Sequence, residues 1–310
     1  MFLQCSRCNQ EAVYFRRYTA ERLCKSCLLD TTLDRIRNTI NQRSMFKRDD
    51  RIIVAISGGK DSAVLLDTLA RIEEGYPETE LYPITIDEGI TGYRDKALTA
   101  ARELTSGLNL SLTVLTFKEL FGYSLDEIVA NREENGLGAC SYCGILRRRA
   151  INQAARELDG DVIATGHNLD DEAQTVVMNV LRGDAHRIGR VNRTRDDTMA
   201  GFIPRVKPIT KISERDVVAY AHHFSLPYHD APCPYAHEAY RNDVRQFLNK
   251  MEHSHPGTLL AVLGSSEKIA EAMRLEPSSF QFNSCTHCGN PTSSKVCRVC
   301  RILEKIEEAM

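Results

Sequence analysis

Residues 51–62 read Arg-Ile-Ile-Val-Ala-Ile-Ser-Gly-Gly-Lys-Asp-Ser, and this stretch decides the architecture. The apolar run 51–56 has the length and β-branched content of a buried parallel strand. It turns through Gly58 and Gly59 into a helical pattern over 62–74, which leaves free backbone N–H groups at a helix N-terminus. Such a turn stabilises a phosphate chain by hydrogen bonds and by the helix dipole. The glycines admit a ligand close to the backbone, Lys60 adds a cation, and Ser57 and Ser62 offer short hydroxyl donors. The glycine spacing is not that of a Walker loop. The bland alternative, a Gly-Gly turn with a capping serine, leaves the six-residue pattern in its strand-loop-helix setting unexplained.

Outward from this loop, strand-like runs at 81–86, 112–115 and 161–164 alternate with helical patterns at 93–108 and 146–158. That order predicts an α/β fold, a parallel sheet with helices on both faces and a ligand crevice at the carboxyl ends of the strands. Asp87-Glu88-Gly89 and Thr165-Gly166-His167-Asn168 fall at two such ends. Asp170, Asp171 and Glu172 then open a helix to about 182; one of them suits N-terminal capping, worth about 1 kcal/mol, and Asp171 is assigned a catalytic or magnesium-binding role. Segment 183–210, with Pro204 and Pro208, reads as a loop or short hairpin reaching over the site, followed by helices at 213–224, 239–251 and 256–273. A linking helix is expected over 31–48.

The eleven cysteines form three groups. Cys5, Cys8, Cys24 and Cys27, and Cys285, Cys288, Cys297 and Cys300, are paired CxxC knuckles with intervals of fifteen and eight residues. Such pairs close tetrahedral four-thiolate zinc sites, and each segment is too poor in apolar residues to fold without its metal. The third group is Cys140, Cys143 and, between two prolines, Cys233. Three readings fit it: a third zinc with His237, His229 or water as fourth ligand; a redox or persulfide pair; or an iron-sulfur cluster with one iron left open. No secretory signal opens the sequence, no run is long enough to cross a bilayer, and the thiols read as those of a reduced, cytoplasmic protein rather than a disulfide framework.

At 310 residues with a net charge of -2, the chain is not a generally basic RNA binder, so any RNA surface has to be local. Arg147, Arg148 and Arg149, then Arg182, Arg187, Arg190, Arg193 and Arg195, then Arg241 and Arg245 are the candidate clusters, against the plainer reading of solvated helix faces.

Ser57 to Ser62 resembles the PP-loop, SGGxDS, of ATP pyrophosphatases, which split ATP into AMP and pyrophosphate. The whole chain resembles the tRNA 2-thiouridine synthetases of the TtuA and NcsA group: a four-cysteine finger, SGGKDS, CxxC, TGHNxDD, a later Pro-Cys and a second four-cysteine finger, in that order. The resemblance implies a PP-loop, adenine nucleotide α-hydrolase-like domain flanked by two zinc-finger modules. Its divisions would be a finger at 1–30, a linker helix at 31–50, the catalytic domain at 51–212, a helical extension carrying Cys233 at 213–279 and a finger at 280–310. It implies that Cys140, Cys143 and Cys233 hold a [4Fe-4S] cluster whose free iron binds the sulfur to be transferred. ATP would touch Ala55, Ser57, Gly58, Gly59, Asp61, Ser62, Ile86 and Gly166, with Asp171 in the catalytic aspartate position. Segment 140–148, Cys-Ser-Tyr-Cys-Gly-Ile-Leu-Arg-Arg, is similar to the CTxCGxxRR pattern of wobble-uridine enzymes. Bacterial enzymes that modify the T-loop uridine carry a lysine where this chain has Arg147.

The implied reaction is adenylation of uridine oxygen 2 by ATP, with Lys60 and Mg2+ stabilising the departing pyrophosphate, Arg147 steadying the phosphate, and sulfur then displacing AMP. The implied partners are tRNA, a sulfur donor (sulfide or a ubiquitin-like thiocarboxylate carrier) and a second copy in a homodimer. The rival readings are T-loop uridine thiolation, a tRNA 2-thiocytidine synthetase, and a zinc-finger RNA-binding protein with a vestigial nucleotide loop.

Overall fold

The computed structural model describes residues 3–133, 136–188, 195, 201–238, 240–273 and 283–309. Arg190 and Arg193, and the beginning of the C-terminal module at 280–282, lie outside these. The centre is a five-stranded parallel sheet of β3 (Arg51–Ala55), β4 (Glu80–Asp87), β5 (Thr113–Thr116), β6 (Val162–Thr165) and β7 (Arg205–Val206), in the order β5-β4-β3-β6-β7. β1 (Tyr14–Arg16) and β2 (Glu21–Leu23) form a separate antiparallel hairpin near the N-terminus.

Alternation along each strand divides the core in two. Ile52, Val54, Val162 and Ala164 point to one face; Ile53, Ile163, Ile84 and Ile86 point to the other. The first face is covered by α1 (Lys25–Gln42), α2 (Lys60–Glu73), α3 (Arg94–Gly107) and α9 (Glu214–His223), through residues such as Ile36, Leu66, Leu104 and Val217. The second is covered by the short α4 (Phe117–Phe121) and α5 (Leu125–Ala130), the long α6 (Ala139–Glu157) and the last helix, α12 (Arg298–Ala309). A third apolar cluster joins α7 (Leu169–Leu181) to α10 (Arg241–Ser254) and α11 (Thr258–Ala272). The short α8 (Ala185–Ile188) follows α7. Among the described residues no helix is long and apolar enough to cross a membrane.

The chain winds from β3 outward to β5, returns to β6 and continues the opposite way to β7. The order therefore reverses beside β3, and a crevice opens at the carboxyl ends of β3 and β6.

Three differences from the sequence reading matter for function. Segment 183–210 is not simply a loop or hairpin, because Arg205 and Val206 pair parallel to Ile163 and Ala164 as the fifth strand. Strand periodicity is invisible in two residues. The helix expected from 146 begins at Ala139, so Cys140 and Cys143 lie in its first turns rather than before it. Gly138 serves as N-cap there, and its small, polar neighbourhood hides the helical start. The linking helix also begins early, at Lys25, with Cys24 as its N-cap; the second N-terminal knuckle is therefore part of the helix that enters the core.

Candidate active site at the strand ends

The loop after β3 folds as its composition demands. Gly58 has φ +83°, and a Cβ there would sit 2.1 Å from the Ala97 carbonyl oxygen of α3. A side chain is excluded on both counts. Gly166, after β6, lies so close to the start of α2 that a Cβ would be 3.0 Å from the Ser62 nitrogen. The Ser62 hydroxyl accepts from the Ser57 N–H at 3.1 Å and donates to the Gly59 carbonyl at 2.8 Å, which rounds the loop.

Polar groups converge on this loop. Lys60 Nζ lies 3.0 Å from Asp61 and 2.9 Å from Glu214, at the start of α9. Burial opposes the ammonium charge, but these two carboxylates hold Lys60 above its ordinary pKa. Asn168 donates to Asp61 at 2.7 Å and also caps α7, accepting from the Asp171 N–H at 2.9 Å. The capping partner is thus Asp171 itself, whose other oxygen meets Arg241 at 3.0 Å. Asp170 is buried instead, accepting from the Glu214 N–H at 2.7 Å, and burial raises its pKa to about 6.

The three central cysteines arrive by a different route. Cys140 and Cys143 are one turn apart on α6, at the positive end of its dipole. Cys233 precedes a 3-10 turn, Pro234–Glu238, that is pinned to α6: Glu238 accepts from the Ala139 N–H at 2.9 Å and pairs with Arg132. Tyr235 anchors the same turn by donating to Asp126 at 2.7 Å. Burial pushes the Cys143 thiol up to about 11, with Arg147 opposing.

Ser57, Lys60, Asp61, Asp171, Arg147, Cys140, Cys143 and Cys233 all line one cavity of about 540 Å³. Ala55, Gly58, Gly59, Ser62, Ile86 and Gly166 are not on its wall; they shape the loop and strand ends behind it. Asn168, from the strand-end motif, also faces it, as do Arg94 and Glu214, which the sequence reading passed over. Arg94 and Glu88 join the two halves. Arg94 donates to the Ser57 carbonyl at 2.8 Å and pairs with buried Glu88 at 2.9 Å, and Glu88 accepts from Arg147, which donates to Cys143 Sγ at 3.2 Å. A continuous polar chain runs from the phosphate loop to a cysteine sulfur. Only the position of Glu88 at a strand end signalled this.

The terminal cysteines are arranged otherwise. Each set of four brings its sulfurs within 4.8 Å of one another. Cys285 to Cys300 is 3.8 Å and Cys288 to Cys297 is 3.7 Å. Tetrahedral zinc with bonds of about 2.3 Å would set sulfurs about 3.8 Å apart. Backbone N–H groups point at sulfur in both sets, as at Cys297 to Cys285, 3.2 Å, and Cys27 to Cys24, 3.4 Å. Burial raises the Cys5 thiol, but N–H donors led by Arg7 bring it down to about 6.

Cys140, Cys143 and Cys233 are not gathered to that single-ion separation, and no histidine among the described residues completes such a set with them. His237 turns its Nδ1 to the Pro234 carbonyl, and His229 packs against Tyr93. Thiols spread around a cavity suit a cluster, in which each is carried by a different iron, and three of them leave the fourth iron open.

A PP-loop domain model matches residues 29–252. The tRNA 2-thiolation protein NcsA of Haloferax volcanii is 38% identical over 98% of this chain and 99% of its own length. The chain belongs to this family of tRNA 2-thiolation proteins. Cytoplasmic tRNA 2-thiolation protein 1 of Drosophila sechellia is 37% identical, covering 98% of this chain and 88% of that protein. The U34-tRNA thiolase NcsA of Methanococcus maripaludis, solved with its [4Fe-4S] cluster, superposes with a TM-score of 0.84 at 29% identity, over 98% of this chain and 96% of that one. Membership extends through both cysteine-rich ends, so the family likeness covers the fingers as well as the nucleotide domain.

Proposed function

We propose that the chain is an ATP-dependent tRNA thiolase that replaces oxygen 2 of the wobble uridine, position 34, by sulfur. The observation that carries this reading is the shared cavity: phosphate loop and three-cysteine set open into the same space. The name of the Methanococcus thiolase supports the wobble position. The word cytoplasmic in the name of the Drosophila relative supports that location for this chain.

In this reading the N–H groups at the start of α2 receive the phosphates, with Lys60 and Arg241 supplying positive charge. Asp61 and Asp171 are the carboxylates placed to hold Mg2+. Oxygen 2 of the uridine bonds to the α-phosphorus and pyrophosphate leaves. Sulfur at the sulfide oxidation level then bonds to carbon 2, the carbon–oxygen bond breaks, and AMP departs with the original oxygen, so no electrons change hands. Arg147 lies where it can hold the AMP phosphate as charge builds on it. When bound, a [4Fe-4S] cluster on Cys140, Cys143 and Cys233 would supply an iron open to an external sulfur ligand. Sulfide and a ubiquitin-like thiocarboxylate carrier both deliver sulfur at the required oxidation level. The terminal sets would each hold one structural zinc, and the working form would be a homodimer, which light scattering tests directly.

The test begins with iron, labile sulfide and zinc per chain after anaerobic purification. Incubation with ATP, sulfide and an unmodified tRNA transcript follows, read by mercury-retardation gel and by mapping the modified position. One cluster, two zincs and a retarded band mapped to position 34 are expected. Three zincs without labile sulfide, or no retarded band, would overturn the reading.

A further inference from the structure

The arginine clusters of the sequence sort into two kinds once folded. Among the described residues five are matched by acids, Arg147 by Glu88, Arg187 by Asp184, Arg195 by Asp50, Arg241 by Asp171 and Arg245 by Glu214, whereas Arg149 donates to Cys288 Sγ and Arg182 lies over the Tyr240 ring. Arg148, together with Arg205 and Arg298 from outside those clusters, has no carboxylate partner among the described residues. They come from three elements, α6, β7 and the first turn of α12, yet they meet. Arg205 donates to the Arg148 carbonyl, and α12 packs on α6 through Ile302 and Ile306. Partial desolvation, then the like charges of Arg298, Arg187 and Arg147, lower the Arg148 pKa; burial, then Arg148, brings Arg205 down to about 10. Apart from the thiols of the adjacent four-cysteine set, the three cations have no anionic side chain beside them among the described residues, and their mutual repulsion is a cost that a bound polyanion removes.

The place of this group identifies the anion. None of the three lines the cavity, whose wall carries cations of its own in Lys60, Arg241 and Arg245. Arg148 nevertheless folds its guanidinium back toward Gly144, one turn earlier on α6, and Gly144 is a wall residue of that cavity. The charge therefore adjoins the part of the cavity wall that Gly144 forms. A nucleotide held in the cavity as part of an RNA strand would have its neighbouring phosphates there.

We propose that Arg148, Arg205 and Arg298 form a phosphate-binding track for the RNA strand flanking the reacting uridine. This rests on the reading of the chain as a tRNA thiolase. It gives the C-terminal four-cysteine module a specific task, because α12 presents Arg298 beside α6. Each phosphate contact contributes about 0.7 to 0.9 to the slope of log affinity against log salt.

Binding of an unmodified tRNA transcript is measured against KCl concentration for the cluster-loaded wild type, Arg148→Ala/Arg298→Ala and Arg156→Ala. Arg156, exposed at the far end of α6, controls for net charge. The double variant is expected to lose about 1.5 from the slope, with unchanged affinity for a non-hydrolysable ATP analogue showing that it is folded. An unchanged slope would overturn the track and leave these arginines to an acidic protein partner. An equal loss in Arg156→Ala would overturn it as a site. Wild type that binds no tRNA overturns both this and the thiolase reading, whereas slope loss without any thiolation by the wild type overturns the thiolase reading alone.

Discussion

The two terminal four-cysteine modules share a ligand set and each runs into an apolar helix that enters the core, but among the described residues only the N-terminal one adds a buried ion pair. The N-terminal module docks through a buried ion pair: Arg16, 1% exposed, lies 2.9 Å from Asp216, 0% exposed, on α9. Tyr18 and Ser213 also donate to that carboxylate, and Arg16 donates to Thr31. The C-terminal module docks through an apolar helix face, with Ile302 and Ile306 of α12 in the same cluster as Cys143 and Leu146 of α6. A buried pair depends on both partners and is directional, so it fixes orientation; an apolar face yields more gradually. The docking partners differ as well. α9 carries Glu214 to Lys60 in the nucleotide loop, while α6 carries two of the three central cysteines. Each module thus braces a different half of the cavity.

The largest effect should come from the centre that both modules brace. Cys233→Ala is expected to abolish thiolation and cluster iron while both zincs and ATP-analogue binding remain, as read by metal analysis and calorimetry. Loss of nucleotide binding as well would show that the central cysteines are structural, the role proposed for the outer eight. Next, Arg16→Met leaves Asp216 buried without its counter-charge and should cost about 3–5 kcal/mol in denaturant unfolding of the zinc-loaded protein. Arg16→Met/Asp216→Asn, which removes the charge but keeps an acceptor for Tyr18, should recover most of it. A wild-type midpoint in the single variant would remove the polar half of the comparison. Ile306→Ala empties space between α12 and α6 and should cost about 3 kcal/mol. It should loosen the C-terminal zinc to chelators before the N-terminal one, and equal release of both would mean that the modules are not independently fastened.

The smallest effect concerns Asp170, beneath α9. Its folded pKa, raised to about 6, lies above the unfolded value near 4, so the native state holds the extra proton between these values. Stability contributed by this group is therefore greatest in acid and falls as pH rises from about 4 to about 6. Asp170→Asn should remove that loss, stabilising the protein by about 3 kcal/mol at pH 7.5 and by about half as much at pH 5. Urea midpoints of both proteins at the two pH values check this, since any change in zinc retention is common to both. A pH-independent difference would mean that burial of Asp170 is relieved by other means.

The nucleotide loop was legible because its chemistry is local. Two glycines, a lysine and two serines between a strand and a helix have one geometry available, and Gly58 adopts it. The terminal four-cysteine sets were legible for the same reason, as short spacings bring the knuckles together. The polar chain from Ser57 through Arg94, Glu88 and Arg147 to Cys143 was not. Its members come from separate elements, and nothing local distinguishes Arg94 from a solvated helical arginine. The capping role of Asp171 was hidden similarly, since three consecutive acids at a helix start differ only in the direction each side chain takes. β7 was missed because two residues show no period, and only the exposed edge of β6 makes them a strand.

The sequence by itself determined the parallel α/β core, the phosphate loop, the two four-thiol sets and the family likeness, because those rest on periodicity and short-range spacing. Tertiary structure alone decided that Cys233 faces Cys140 and Cys143 across ninety residues of chain, and which arginines are neutralised and which remain to meet a polyanion. Charge and coordination depend on distances of a few ångströms in space, and the order of residues along a chain sets those distances only after the sheet has stacked its helices.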